Sequence, residues 1–183
     1  EGLVPGNPAR LVATPKLPTR VPAALSAEDM NGFLDRLASG DALRPARRSM
    51  HGRETELMLQ RDRAILELLY ASGLRVSELT GLDLRDIDRK EQMLRVLGKG
   101  NKERIVPYGS KAEQALVTYE PIRARLLRQA GGRGQAQALF LNRDGRRLGT
   151  RSVGRIVKKY VRLVNVNWEM HPHSLRHAFA THL

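Results

Sequence analysis

Residues 69–82 read LYASGLRVSELTGL, and this stretch organises the middle of the chain. Before it, leucines recur at helical spacing over residues 54–72, and Gly73 ends the predicted helix, as glycine often does. Arg75 directly follows this glycine turn, and Glu78 comes three residues later. Such a pair is either an ordinary i, i+3 ion pair or a functional arginine that its carboxylate holds in place.

Outward from this stretch, the periodicity of apolar residues is mostly helical. Helices are predicted over residues 26–39, 54–72, 111–130 and 150–164. Between the first two, the basic residues 40–53 predict a loop. QMLRVLG (92–98) and ERIVPYG (103–109) alternate as strands and flank GKGNK, which predicts a hairpin, and ALFLN (138–142) predicts a further short strand. The expected fold class is mainly α with a small antiparallel β-sheet.

Composition favours a polyanionic partner. The 183 residues carry a formal net charge of +13, and cationic surfaces gain affinity for nucleic acid by releasing its condensed counterions. Only 4% of residues are aromatic, so backbone contact with a duplex fits better than base stacking. The absence of cysteine excludes disulfides and cysteine-based zinc sites. No segment has the apolar length of a membrane span, and we expect no membrane partner.

Five prolines within residues 1–24 predict an extended linker: Pro5, Pro8, Pro15, Pro18 and Pro22. We expect this linker to continue from an upstream segment. Residues 25–183 are then expected to form one domain.

The segment HPHSLRHAFATHL (171–183) contains four of the five histidines. His173 and His177 are four residues apart, which suits a zinc site, but the guanidinium of Arg176 between them would repel a dication. Pro172 favours a helix start nearby, so His173 and Arg176 would share a helix face near an N-terminus, where anions bind. No metal site is therefore predicted here, although a metal hydrolase that uses the histidine cluster stays as one alternative.

Lys99 lies between two glycines at the centre of the predicted hairpin. The glycines would let the backbone approach a ligand closely. A lysine that only improves solubility is the simpler interpretation of this position.

Three segments together resemble one family in order and spacing. LYASGLRVSELTGL, LGKGNKERIVPYG (97–109) and HPHSLRHAFATHL are similar to the catalytic domain of the tyrosine recombinases, the phage-integrase family, and most similar to the Xer recombinases of bacterial chromosomes. The resemblance covers about residues 15–183. It implies the fold of a recombinase catalytic domain that is truncated at its C-terminal side.

The resemblance also implies an activity. Enzymes of this family cut and rejoin DNA at specific sites through a covalent 3′-phosphotyrosine, without metal or any other cofactor. By motif position, Arg75 and Arg176 would clamp the phosphate, Lys99 would protonate the leaving 5′-oxygen, and His173 would assist proton transfer. Glu78 would support Arg75. Further contacts with double-stranded DNA are expected from Lys102, Arg104, Arg151, Arg155, Lys158 and Lys159.

The family's nucleophile lies C-terminal to the HxxR segment, and this sequence has no tyrosine there. Its tyrosines are Tyr70, Tyr108, Tyr119 and Tyr160. We therefore expect a fragment that lacks the nucleophile segment and is inactive alone. A non-catalytic DNA-binding or regulatory relative is the alternative.

The resemblance implies a cytoplasmic protein whose complete form assembles as a tetramer on DNA. Chromosome dimer resolution is the expected role, and integration of a phage or mobile element is the alternative. The need for a second Xer-type recombinase stays open.

Overall fold

The structure, a computed structural model, describes residues 27–39, 52–98, 100 and 102–163. Within these ranges helix α2, Gly52–Ser72, contacts all the other α-helices. These helices are α1 (Ala27–Ala38), α3 (Val76–Gly81), α4 (Gly109–Gln129) and α5 (Thr150–Leu163). The mainly α fold class with a small sheet, predicted from periodicity, is confirmed.

Helix α1 buries the predicted apolar stripe of Met30, Phe33, Leu34 and Leu37. Helix α2 starts at Gly52, so the last two residues of the predicted 40–53 loop are helical, and residues 40–51 lie outside the described part of the chain. Gly73 has a φ of 58°, the left-handed conformation that a helix-ending glycine adopts most easily, and it ends α2 as predicted.

The predicted hairpin is present as part of a three-stranded antiparallel sheet. Its strands are β1 (Ile87–Asp88), β2 (Met93–Leu97) and β3 (Glu103–Pro107), in the order β1-β2-β3. The two-residue strand β1 was not predicted, because so short a segment has no periodicity to recognise. The Gly98 N–H donates to the Lys102 carbonyl at 2.8 Å and closes the β2–β3 pair.

The strand predicted over residues 138–142 is wrong. Ala138 and Leu141 form only isolated bridges, with Asp83 and Arg147 respectively. The segment is buried, and α4 supplies part of its hydrogen bonding: Arg123 donates to the carbonyls of Ala138 and Leu139, and Tyr119 Oη accepts from the Leu141 N–H. Side chains therefore satisfy backbone groups that a strand partner would otherwise bind.

Helix α5 packs its apolar face inward through Val153, Ile156, Val157 and Tyr160. The Tyr160 hydroxyl donates to Asp62 on α2 at 2.9 Å. Within the described part of the chain, no helix is both long and apolar enough to cross a membrane.

Candidate functional site

Arg75 caps the N-terminus of helix α3. Its backbone is extended, with φ −69° and ψ 150°, and its carbonyl accepts from the Leu79 N–H at 3.0 Å. The Arg75 N–H donates to Glu78 Oε2 at 2.7 Å. A glutamate at the third helical position that binds the N-cap N–H is half of a capping box, so the local sequence fixes both residues.

Glu78 holds two arginines. Its side chain is only 4% exposed. Arg75 Nη1 donates to Glu78 Oε1 at 3.0 Å, while Arg104 on β3 binds both carboxylate oxygens, at 2.8 Å through Nη1 and 2.9 Å through Nη2. A bidentate contact of this kind fixes direction as well as distance. We call Arg75, Glu78 and Arg104 the arginine–glutamate cluster.

The cluster stays charged at neutral pH. Burial alone would raise the pKa of Glu78, but the hydrogen bonds from Arg104 and from the Arg75 backbone and side chain outweigh it and lower this pKa to about 2. The hydrogen bond to Glu78 raises the pKa of Arg104. The cluster therefore carries two guanidinium charges against one carboxylate.

The side chain of Arg75 lines a groove. This side chain is 56% exposed, and the groove of about 460 Å³ is lined by Arg75, Ser77, Glu78, Leu97 and Gly98. The end of the hairpin and the start of α3 thus form two sides of one concave surface. An exposed guanidinium there, held by a buried carboxylate, suits an oxyanion such as phosphate, because its planar fork can bind two of the phosphate oxygens.

Only part of the predicted site falls in the described residues. Arg75 and Glu78 are brought together as the i, i+3 spacing suggested. Lys99 lies outside the described residues, although its neighbour Gly98 lines the Arg75 groove. His173 and Arg176 lie outside them too, as do all the other histidines. The predicted roles of Lys99, His173 and Arg176 stay predictions.

The predicted DNA contacts on α5 are exposed. Arg151, Arg155, Lys158 and Lys159 all lie at the surface of a helix that contacts α3. Lys159 also has an internal role, since its ammonium lies 4.6 Å from the ring centroid of Tyr160 and 3.7 Å from Asp62 Oδ2. Lys102 is exposed at the end of the hairpin. DNA contact by these residues stays a prediction.

Three of the tyrosines are poorly placed to attack a ligand. Tyr108, Tyr119 and Tyr160 are at most 1% exposed. Burial raises the pKa of each hydroxyl, for Tyr119 to about 12. Tyr108 donates to Glu113 at 2.6 Å, and Tyr160 donates to Asp62. Tyr70 is partly exposed but is not among the residues that line the Arg75 groove.

The contact between Arg104 and Glu78 was not predicted from the sequence, whereas DNA contact by Arg104 stays a prediction. Strand β3 alternates, so Arg104 and Val106 face the same side, opposite the exposed Ile105. Their cross-strand partners are the buried Val96 and Leu94. The alternation was present in the sequence and placed Arg104 on the inner face, but it did not reveal Glu78 as the partner.

Known proteins match this chain along almost its whole length. The sequence pattern described as the phage integrase family matches residues 47–183. The chain is 42% identical over 183 residues to "Tyrosine recombinase XerC" of Thermodesulfovibrio yellowstonii, covering all of this chain and 56% of that protein. It is 44% identical over 181 residues to "Tyrosine recombinase XerC" of Myxococcus xanthus, covering 99% of this chain and 55% of that one. The chain thus spans about half the length of the curated relatives it matches.

Solved structures share the fold. The crystal structure of XerA recombinase superposes with a TM-score of 0.68 at 26% identity, covering 93% of this chain and 52% of that one. XerH site-specific recombinase, solved bound to a palindromic difH substrate in a post-cleavage complex, gives a TM-score of 0.67 at 22% identity, covering 87% of this chain and 41% of that one. The second likeness concerns the fold alone.

Proposed function

This chain belongs to the phage integrase family, and from that premise we propose that it forms the catalytic core of an Xer-type tyrosine recombinase, which cuts and rejoins DNA at a specific site. Two relatives that match the whole chain at more than 40% identity are named tyrosine recombinases. Because those relatives are about twice as long, the activity belongs to the full-length gene product.

The arginine–glutamate cluster carries this proposal. A buried, ionised Glu78 holds Arg75 at the edge of a groove, with more than half of the arginine side chain exposed. A solvated surface ion pair would bury neither partner and would contribute little to stability. A fixed guanidinium matches a phosphodiester instead, because its planar fork can bind two non-bridging oxygens.

The proposed roles of the residues follow from where negative charge develops on the phosphate and on the leaving oxygen during the reaction. A tyrosine oxygen attacks the scissile phosphorus, the 5′-oxygen leaves, and a 3′-phosphotyrosine forms. Arg75 and Arg176 stabilise the negative charge of the pentacoordinate transition state, and His173 accepts the tyrosine proton. Lys99 donates a proton to the leaving 5′-oxygen. Rejoining reverses these transfers, so no external energy source is consumed.

The attacking tyrosine comes from outside this sequence. Three of its tyrosines are buried, with their hydroxyls engaged in hydrogen bonds, and Tyr70 does not line the Arg75 groove. The domain assignment is part of the proposal: residues 1–24 are a linker, and residues 25–183 are a catalytic domain without its nucleophile segment.

Double-stranded DNA is the proposed partner, supported by the net charge of +13 and the exposed cations of α5. In the full-length protein we expect a tetramer on DNA in the cytoplasm, acting in chromosome dimer resolution. A second Xer-type recombinase as partner belongs to the same proposal. The name XerC of the relatives supports this role over integration of a mobile element.

A nicked suicide substrate tests the proposal. The full-length gene product should form a covalent protein–DNA adduct on a duplex that carries its site, without added metal, and Arg176→Ala should abolish the adduct. Normal adduct yield from Arg176→Ala would remove Arg176 from the site. Duplex binding with no adduct from the full-length gene product would favour the non-catalytic DNA-binding alternative.

A further inference from the structure

Helix α3, which carries Arg75 at its N-terminus, is short. It has six residues and a length of about 9 Å. A helix of that length has little stability of its own, so contacts with the rest of the chain determine its direction. Arg104 on β3 binds Glu78 near the N-terminal end. A helix that is held at one end can still pivot, and a second anchor at its other end is needed to fix its direction.

Arg147 holds the C-terminal end of α3 from outside the helix. Its Nη1 donates to the carbonyl of Thr80 at 3.0 Å and to the carbonyl of Leu82 at 3.0 Å. Nη2 of the same guanidinium donates to Oδ1 of Asp83. The side chain of Arg147 is 29% exposed and that of Asp83 is 16% exposed. Carbonyls at the end of a helix have no partner within it, so this guanidinium supplies donors that α3 itself lacks.

The backbone around Arg147 is itself held in place. The Arg147 N–H donates to Gln135 Oε1 at 2.6 Å. The next residue, Leu148, is buried, and its N–H donates to the Phe140 carbonyl at 2.9 Å. The contact between Arg147 and Thr80 spans 67 residues of sequence, so it joins α3 to a distant part of the chain. Arg147 can therefore serve as the second anchor.

We propose that Arg147 is a positioning residue that fixes the direction of α3 and thereby places Arg75 against the scissile phosphate. This inference rests on the proposed recombinase function and deepens it. Glu78 ties the Arg75 side chain to α3, so the Arg75 guanidinium turns with the helix. Arg147 is not among the described residues that line the Arg75 groove, and it acts through α3 without contacting the DNA.

A small change in the direction of α3 is enough to impair Arg75. A rotation of about 10° moves an atom about 6 Å from the pivot by about 1 Å, and a misplacement of that size can lower a rate by about 100-fold. Arg147→Ala removes the anchor, while Arg75, Glu78 and Arg104 all remain. We expect this variant to form the covalent adduct about 10–100-fold more slowly than the parent.

The charge of the scissile phosphate distinguishes positioning of Arg75 from a general structural defect. A methylphosphonate at that position replaces one non-bridging oxygen by an uncharged methyl group, so the reaction depends less on Arg75. On this substrate the deficit of Arg147→Ala should fall to about threefold or less. Arg75→Ala combined with Arg147→Ala should be no slower than Arg75→Ala alone on ordinary DNA, because no guanidinium is left for Arg147 to position.

Single-turnover adduct formation by the full-length gene product, with both suicide substrates at saturating concentration, is the test. Arg146→Ala removes an exposed cation from the neighbouring position and should match the parent on both substrates. Arg147→Lys keeps the charge but loses the planar fork, so its rate on ordinary DNA should lie between those of the parent and Arg147→Ala. Circular dichroism shows whether each variant is folded. If Arg147→Ala is not folded, the same comparison of substrates is made with Arg147→Lys.

Three results would overturn the inference while leaving the recombinase proposal intact. The first is a rate of Arg147→Ala that equals the rate of Arg146→Ala. The second is an equal loss of rate on both substrates, or a loss that adds to that of Arg75→Ala. The third is a weaker duplex affinity whose salt dependence drops by about one phosphate contact, which would make Arg147 a DNA ligand. Failure of the parent protein to form an adduct on ordinary DNA would instead overturn the proposed function together with this inference.

Discussion

Glu78 is nearly inaccessible to solvent and still ionised, because four hydrogen-bond donors surround its carboxylate. Three are side-chain N–H groups of Arg75 and Arg104, and the fourth is the backbone N–H of Arg75. Without these donors, burial would favour the protonated acid. Its charge is therefore a property of the assembled site and not of Glu78 alone. Because the same donors lower the pKa of Glu78, the stability of the protein should depend on pH through this cluster.

Glu78→Gln should destabilise the protein by about 1–3 kcal/mol at neutral pH, because the amide presents an N–H₂ to an arginine where the carboxylate accepted a hydrogen bond. Folding lowers the pKa of Glu78 from 4.5 to about 2, so its charged form stabilises the native state above the unfolded value. That contribution is lost as the pH falls from 4.5 towards 2. The difference in unfolding free energy between parent and variant should shrink over this window.

Urea unfolding at a series of pH values measures this difference. Glu91→Gln, at an exposed position where the carboxylate lies 3.9 Å from the ammonium of the exposed Lys90, serves as the control and should stay within about 0.5 kcal/mol of the parent. A Glu78→Gln penalty that does not change with acidity would contradict the ionised cluster.

The sequence predicted the Arg75–Glu78 pair but not the third member of the cluster, Arg104. Spacing of three along a helix is visible in a single segment, and so is the glycine that precedes Arg75. Pairing between Arg104 and Glu78 depends on how β3 packs against α3, which is tertiary information. Such long-range polar partners cannot be inferred from local periodicity.

Among the elements, helix α5 is fixed to α2 by a buried polar network. Asp62 accepts from the Tyr160 hydroxyl at 2.9 Å and from Arg61 Nε at 2.9 Å, and Arg61 Nη1 donates to the Leu141 carbonyl at 3.1 Å. The network orients α5, the helix whose exposed side carries the predicted DNA contacts. Its amphipathic pattern predicted the buried face but gave no sign of Asp62.

Tyr160→Phe should lower the free energy of unfolding by about 1–3 kcal/mol, because it leaves one acceptor position of a buried carboxylate unfilled. Lys158→Gln changes an exposed neighbour on the same helix and should change stability by no more than about 0.5 kcal/mol. Urea denaturation followed by circular dichroism measures both. Equal stability of Tyr160→Phe and the parent would show that the hydroxyl contributes nothing to this helix pair.

Element boundaries were predicted well where a periodic apolar face exists and poorly where polar side chains replace backbone pairing. Helices α1, α2, α4 and α5 lie within about two residues of their predicted bounds. Residues 138–142 have the composition of a strand, yet they form only isolated bridges, and Arg123 and Tyr119 bind part of their backbone. Helix α3 has six residues, too few to establish a helical period.

Across the whole molecule, the charge of +13 makes association with duplex DNA the expected behaviour. Affinity should fall steeply as salt rises, since each phosphate contact releases a counterion. Arg155→Ala combined with Lys158→Ala should reduce the salt slope by up to about two contacts. Fluorescence anisotropy with a labelled duplex over a range of salt concentrations measures it.

A matched double variant controls for net charge. Lys90→Ala with Arg133→Ala removes two exposed cations that are not part of α5 and should leave the salt slope near that of the parent. The same loss of slope in both double variants would indicate a diffuse charge effect without an α5 contact. Affinity independent of salt would contradict backbone binding altogether.

We propose that Arg75 neutralises charge on the scissile phosphate, and an uncharged substrate is the sharpest test of this role. With a methylphosphonate at the scissile position, one non-bridging oxygen becomes an uncharged methyl group, so the reaction no longer needs that cation. The full-length gene product carrying Arg75→Ala should form about 10²–10³-fold less covalent adduct than the parent per unit time on ordinary DNA and should recover substantially on the methylphosphonate. An equal deficit on both substrates would show that Arg75 does not act on the phosphate charge, and the site would have to be assigned differently.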